Sequence, residues 1–240
     1  MSSANILLHD KIQVPKEFNK IARRYNLATF LSQGYAGDLA LSVQRMQLQG
    51  DEFIADLCCG TGKSTIACLE NVPRGKVLGI DFSEEMLNQA IAHVLPLYPG
   101  RQLEFRNQNI MELDYPDNTF DAIFMAYGIR NMPDYHTCLL NLHRMLRAGG
   151  VIAFHEYSLI PNLWSRMYWR LIGFGLIIPV STMLTGSSRI FRYLIKSVLD
   201  FLSPDDFSKL LKDTGFIDVR IEPLPSWRRP ILRTFIARKP

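Results

Sequence analysis

An apolar run that ends in an acid and then enters a glycine-containing loop constrains this chain more than any other feature. It reads Phe53-Ile54-Ala55-Asp56-Leu57-Cys58-Cys59-Gly60-Thr61-Gly62-Lys63-Ser64, the way a buried strand hands over to a ligand-cradling turn. Twenty-five residues after Asp56 a second apolar run, Val77-Leu78-Gly79-Ile80, again ends in an acid, Asp81. Gly60 and Gly62 lack a Cβ, so the backbone can turn tightly and approach a ligand. The amides of the following helix's first turn are unsatisfied and favour an anion. An acid at the tip of the second strand can accept hydrogen bonds from both hydroxyls of a ribose. The pair of acids therefore predicts a ligand that contains a ribose.

The loop spelling separates two kinds of such ligand. A dinucleotide site wants glycines spaced G-x-G-x-x-G, the last allowing close helix packing beside a pyrophosphate. Here the pattern is Asp56-x-x-x-Gly60-x-Gly62, with no match to that spacing. It resembles the first motif of class I methyltransferases, whose loop holds the methionine part of S-adenosyl-L-methionine. That resemblance implies a cofactor site built from Asp56, Cys58, Gly60 and Gly62, with Asp81, Phe82 and Met86 following the second strand. Asn109, just past the next apolar run, can accept from the exocyclic amine of adenine while the Ile110 amide donates to a ring nitrogen. A plain turn former is the other reading of Asn109.

Short apolar runs alternate with helical patterns along the first two thirds of the chain. Strands are expected over 53–57, 77–80, 103–106, 122–126 and 151–154, and helices over 16–25, 38–46, 64–70, 84–94 and 135–147. Such alternation builds a doubly wound, mostly parallel α/β sheet with helices on both faces. Ser83 followed by Glu84 and Glu85 is a helix-start signal; Arg147-Ala148-Gly149-Gly150 reads as a basic last turn with a glycine stop. Ser203-Pro204-Asp205-Asp206 opens a further helix that stops at Gly215. Runs near 219–221 and 232–237 are expected to close the sheet as an antiparallel hairpin, giving seven strands. At 240 residues the chain suits one domain, with an N-terminal helical cap over about 10–48 and an apolar insertion over about 160–200.

In open α/β sheets the ligand sits outside the carboxyl ends of the strands, which singles out Ala126-Tyr127 and His155-Glu156 as well as the acids. The stretch Tyr127-Gly128-Ile129-Arg130-Asn131-Met132-Pro133 follows the fourth strand. With Tyr115 to Asp121, Leu146 to Gly150, Glu156 and Phe191-Arg192-Tyr193-Leu194, it resembles the C-methyltransferases that methylate the prenylated ring in ubiquinone and menaquinone biosynthesis. The resemblance runs from about Asp10 to Val219, and Gly-Ile-Arg-Asn is its most specific part. It implies that Arg130 and Asn131 lie beside the acceptor ring, orient it and stabilise a developing ring oxyanion. It also implies that Tyr25 covers the methionine end of the cofactor, and that the two carboxylates Asp56 and Asp81 grip its amino-acid and sugar ends.

The chain departs from that family at Cys59, usually Gly, at Ala126, commonly Ser, and at Asn26, usually Asp. It departs again at Tyr35-Ala36-Gly37-Asp38 and along Trp227 to Lys239. Most of these surround the acceptor rather than the cofactor, so a C- or O-methyltransferase of an isoprenoid or aromatic specialised metabolite is the alternative to a quinol precursor. His155 stands where the family has an apolar residue. Next to Glu156 it reads either as a general base with a carboxylate-fixed tautomer or as a satisfied core histidine.

Residues 1–160 carry 14 Lys and Arg against 17 Asp and Glu, whereas 161–240 carry 13 against 6. The basic residues of the last third are interleaved with apolar stretches and form no reader module, so no nucleic-acid partner is expected. Cys58, Cys59, Cys68 and Cys138 show neither disulfide nor metal spacing. A reducing, cytoplasmic setting and no metal follow from that pattern, and residues 1–20 do not resemble a signal or transit peptide. Trp164 to Leu184 is the lid or wall for a greasy acceptor, or else a homodimer interface. Its uncharged part, 171–185, is 15 residues long and punctuated by Gly173, Gly175 and Pro179, short of the roughly 20 needed to cross a bilayer. With Arg166, Arg170, Arg228 and Arg229 close by, weak association with an anionic membrane surface is a further expectation.

Overall fold

The computed structural model describes residues 34–186 and 188–240. The helix expected over 16–25, and Tyr25 with it, lie outside the described residues. Helix α1 (Tyr35–Gln44) leads into strand β1 (Phe53–Leu57), helix α2 (Lys63–Asn71), strand β2 (Lys76–Asp81), helix α3 (Glu84–Val94) and strand β3 (Gln102–Asn107). Strand β4 (Phe120–Ala126), helix α4 (Tyr135–Met145) and strand β5 (Leu146–Tyr157) follow. After them come helices α5 (Leu163–Ile172), α6 (Ile178–Thr185), α7 (Arg189–Asp200) and α8 (Pro204–Asp213), and strands β6 (Ile217–Pro223) and β7 (Leu232–Arg238).

The seven strands lie in the order β3-β2-β1-β4-β5-β7-β6. The first five are parallel; β7 runs antiparallel to β5 and pairs with β6 as the expected hairpin. Ile54, Ala55, Phe124 and Phe154 are fully buried, as central strands covered on both faces must be. One core packs α4 and α8 against the sheet through Leu139, Leu142, Phe207 and Leu211. The other packs α1 and α2 through Leu39, Val43, Ala67 and Cys68. Strands fan out in opposite senses from the β1–β4 pair, so the switch point of the sheet lies at the carboxyl ends of these two strands.

Helix starts follow local chemistry. Ser83 Oγ accepts from the Met86 amide at the head of α3, and Ser203 caps α8 with Pro204 in its first turn. Two expectations need correction. Helix α4 stops at Met145, because Leu146 turns into the extended region and enters the core. The run to Gly150 is then extended: the Gly149 amide donates to Lys239 O and the Lys239 amide to Gly150 O, each at 3.0 Å. The basic last turn and glycine stop are thus the start of β5.

The second correction concerns the apolar insertion. Gly173, Gly175 and Pro179 do not interrupt it: α5 and α6 join through a π turn (Gly173–Ile177) into one helix, and Pro179 comes directly after that turn, where the departure from regular i→i−4 bonding accommodates a residue without an amide. Leu163–Leu184 is 22 residues long, enough by length and composition alone to cross a membrane, yet only 17% of its most apolar stretch is buried. Gly173 permits this packing, since a Cβ there would collide with the Ile195 side chain of α7.

Candidate functional site

The carboxyl ends of β1, β2 and β4 open onto a crevice of about 420 Å³. Its floor is the β1–α2 loop. Cys58 there adopts φ 56° and Gly60 φ 54°, and the Cβ position of Gly60 faces open space, so main chain is presented directly to a ligand. Gly62, at φ 86°, begins α2, and any side chain on it would strike Val94 and Ala90 of α3. Tyr127, at the tip of β4, holds the same left-handed backbone at φ 56°. A non-glycine residue is rarely kept there unless its surroundings hold it, and such residues gather at binding sites.

Asp81 is held by the protein before any ligand arrives. Its Oδ2 accepts from the Gly60 amide and its Oδ1 from the Ser83 amide, both at 2.8 Å. Burial raises its pKa, and the amides of Ser83, Gly60 and Phe82 oppose that rise. Each oxygen retains lone-pair capacity for a hydroxyl, the arrangement a ribose diol requires. Phe82, Met86, Asn109 and Ile110 line the same end of the crevice. Asn109 also caps the short turn after it: its Oδ1 accepts from the Met111 amide at 3.1 Å and its Nδ2 donates to Glu112 at 2.8 Å. The carboxylate, the glycine loop and the apolar Met86 and Ile110 walls fit S-adenosyl-L-methionine.

Asp56 lies elsewhere than expected. It is fully buried beneath the loop, where its Oδ2 accepts from Ser64 Oγ at 2.8 Å and Thr65 Oγ1 at 2.6 Å. Its Oδ1 has no partner among the described residues. Burial pushes its pKa up to about 7, against the pull of Thr65 and Ser64. It anchors the loop from below instead of gripping a ligand.

At the other end the crevice is walled by Tyr35, Ala126, Tyr127, Asn131, Met132 and Pro133. Asn131 is held on three sides: Tyr193 OH donates to its Oδ1 at 3.0 Å, Arg130 Nη1 approaches the same oxygen at 3.4 Å, and Nδ2 donates to Tyr127 O at 3.2 Å. Arg130 itself is 3% exposed and lies behind this wall. Its Nε donates to Glu156 Oε1 at 3.2 Å and its Nη1 to Ser197 Oγ at 2.6 Å. The expected pairing of Arg130 with Asn131 is present, but only Asn131 faces the crevice.

His155 and Glu156 are fully buried too, and they do not pair with each other. Alternation along β5 sends them to opposite faces of the sheet. Glu156 goes to Arg130, and burial raises its pKa against that guanidinium. His155 goes to α1: its Nδ1 meets Ser42 Oγ at 2.7 Å and its Nε2 meets Tyr127 OH at 2.8 Å. Burial, with Arg45 and Arg228 nearby, lowers its pKa to about 3. His155 is a neutral core residue that fixes Tyr127, and the general-base reading does not match its position. Tyr35 and Tyr127 stack at 5.8 Å. The sequence signal for this wall was thin, since an aromatic pair 92 residues apart carries no periodicity.

A seven-stranded sheet of this order, with a diol-ready acid at β2 and a glycine loop at β1, defines a class I S-adenosyl-L-methionine-dependent methyltransferase. The comparisons agree. The sequence profile of the ubiE/COQ5 methyltransferase family matches residues 7–226, and the chain belongs to that family. A demethylmenaquinone methyltransferase of Geobacillus stearothermophilus is 34% identical over 183 residues, 75% of this chain and 77% of that relative. In fold the chain is similar to Haemonchus contortus phosphoethanolamine N-methyltransferase 2, solved with phosphomonomethylethanolamine and S-adenosylhomocysteine. The TM-score is 0.70 at 16% identity, covering 97% of this chain and 60% of that longer one. It is similar also to the [4+2]-cyclase SpnF, with a TM-score of 0.71 at 15% identity and 95% of each chain covered. Fold alone thus does not specify the reaction.

Proposed function

We propose that this methyltransferase acts on a ring carbon of a lipophilic acceptor, with a prenylated quinol precursor as the best fit. The observation that carries the reading is the far wall of the crevice. Tyr35, Tyr127, Met132 and Pro133 offer an apolar, aromatic surface, and Asn131 is a polar side chain set into it. A flat ring with a hydroxyl and a greasy tail matches that surface better than a charged or heavily hydroxylated acceptor. The Geobacillus relative, a demethylmenaquinone methyltransferase, supports the same substrate class.

When bound, S-adenosyl-L-methionine would supply a sulfonium methyl to the nucleophilic ring carbon, the sulfur keeping the bonding pair and the ring carbon's proton passing to bulk solvent after transfer. The chain's own residues do the positioning. Asp81 and the Gly60 backbone hold the nucleoside end. Tyr35 and Tyr127 exclude water and set the plane of the ring, and alignment of this kind removes much of the entropic barrier. Tyr193 and Tyr127 O fix the amide of Asn131, leaving a second Nδ2 hydrogen to donate to the ring oxygen as negative charge develops there. Arg130 holds that amide from behind and is a positioning residue.

The test is transfer of labelled methyl from the cofactor into demethylmenaquinol, or into the lipid extract of a host lacking the enzyme. The expected product is a lipid heavier by one methyl on a ring carbon, located by fragmentation. Label on oxygen, in nucleic acid, or nowhere despite measured cofactor binding would overturn the reading.

A further inference from the structure

The long helix made by α5, the π turn and α6 is locked on one side only. Trp169 is fully buried on its inner face and donates Nε1 to Ile195 O of α7 at 3.1 Å. The opposite face carries Trp164, Met167, Leu171 and Phe174 at spacings of three and four residues, all exposed, with Leu171 at 73%. From Leu176 within the π turn, Val180 and Met183 continue the apolar surface at the same spacings, with Met183 at 80%. Isolated exposed apolar residues are ordinary, whereas a continuous row along a helix marks an interaction surface.

Charge identifies the partner. Residues 161–199 contain Arg166, Arg170, Arg189, Arg192 and Lys196 and no Asp or Glu, and the four arginines are exposed. An apolar face on a segment whose charges are all cations until Asp200, the last residue of α7, is complementary to an anionic lipid leaflet. Crossing a bilayer is inconsistent with the fold, because both ends of the helix return to one body. Before it, Ser158 Oγ donates to Leu202 O; after it, α7 packs back against Trp169 and Gly173. A spanning helix would have to strip off that packing.

We propose that residues 163–185 lie in the plane of an anionic membrane leaflet, their exposed row among the acyl chains and the bordering arginines against the headgroups. The surface connects with the crevice. Trp169 packs on Tyr157 at 4.9 Å, Tyr157 on Tyr127 at 5.2 Å, and Tyr127 forms the crevice wall. An aromatic path therefore joins the leaflet-facing helix to the acceptor end. This goes beyond the methyl-transfer reading, and its test contains neither cofactor nor acceptor, so either can fail alone.

The full chain is floated with vesicles of phosphatidylcholine containing about a third phosphatidylglycerol, and with pure phosphatidylcholine vesicles. Retention on the anionic vesicles is expected, weaker by about tenfold or more on the neutral ones and with Arg170→Gln/Arg192→Gln. Leu171→Asp/Phe174→Asp should weaken retention by at least about tenfold, and Met183→Asp should act in the same direction. All of these changes are at exposed positions, and circular dichroism with a cooperative thermal transition confirms that each variant is folded. Trp164 emission should be quenched by brominated acyl chains, and Trp164→Phe should remove that component. No flotation, flotation indifferent to the aspartate variants, or a wild-type dimer that ignores vesicles and becomes a monomer in Leu171→Asp/Phe174→Asp would overturn the proposal, the last by assigning the face to a second copy.

Discussion

At the residue scale, burial decides what each ionisable group can do. His155 has its pKa lowered to about 3 from an ordinary 6.5, so its neutral form is the one the fold favours. Stability from this residue is complete above about pH 6.5 and is lost as pH falls toward 3, with a slope near 1.4 kcal/mol per pH unit. His155→Gln keeps hydrogen-bonding groups for Ser42 and Tyr127 and should flatten that slope. Urea midpoints measured at stepped pH below 6.5 provide the check. Arg130 is the second case. Removing it in Arg130→Ala leaves Glu156 buried without its cation, at a cost of roughly 3–5 kcal/mol. The folded fraction should still bind cofactor normally while turnover drops, because Asn131 loses a support. Arg130→Lys should recover part of the stability and less of the turnover, since one ammonium cannot reach Glu156, Ser197 and Asn131 together. Chemical denaturation read beside kcat separates the two effects.

At the element scale, α1 is clamped to the far end of the sheet by ion pairs that span most of the chain. Arg228 Nε meets Asp38 Oδ2 at 2.8 Å and Arg45 Nε meets Glu222 Oε2 at 2.9 Å. Both members of the first pair are nearly buried, and burial raises the Asp38 pKa despite the neighbouring Arg228 and Arg45. Arg228→Ala should therefore destabilise by about 3 kcal/mol or more. Because α1 carries Tyr35 to the crevice and Ser42 to His155, the same change should also weaken acceptor binding more than cofactor binding. A rise in the acceptor KM larger than any change in cofactor affinity is the expected signature. An exposed pair such as Lys209 with Asp213 lacks this leverage, and its removal should fall within about 0.5 kcal/mol.

At the scale of the whole molecule, the crevice is a seam joining β1, β2, β4 and the loops after them, so filling it should tie the sheet's centre together. Cofactor at about one hundred times its dissociation constant should stabilise the fold by roughly 2.7 kcal/mol, seen as a rise in Tm. In Asp81→Ala that rise should vanish, since the diol loses its acceptor and the Gly60 amide its partner. Wild-type affinity by calorimetry would remove Asp81 from the site. In wild type, affinity should decline on acidification sooner than for an ordinary surface carboxylate, because burial raises the Asp81 pKa and the protonated acid accepts fewer hydrogen bonds.

The alternating strands, the meeting of Asp81 with the Gly60 loop at the mouth of the crevice, and the closing hairpin were legible in the sequence alone. Each rests on local information: a two-residue or 3.6-residue period, a glycine where the backbone must turn, an acid ending an apolar run. Only the tertiary structure decided that Asp56 is an anchor beneath the loop, and that Arg130 and Glu156 meet behind the wall. It alone showed His155 spending both ring nitrogens on Ser42 and Tyr127, and Gly173 and Pro179 sitting inside an unbroken helix. These depend on what packs beside a residue from up to 113 positions away. Burial, and with it charge state and reach into the crevice, is a property of those distant neighbours, and no local pattern encodes it.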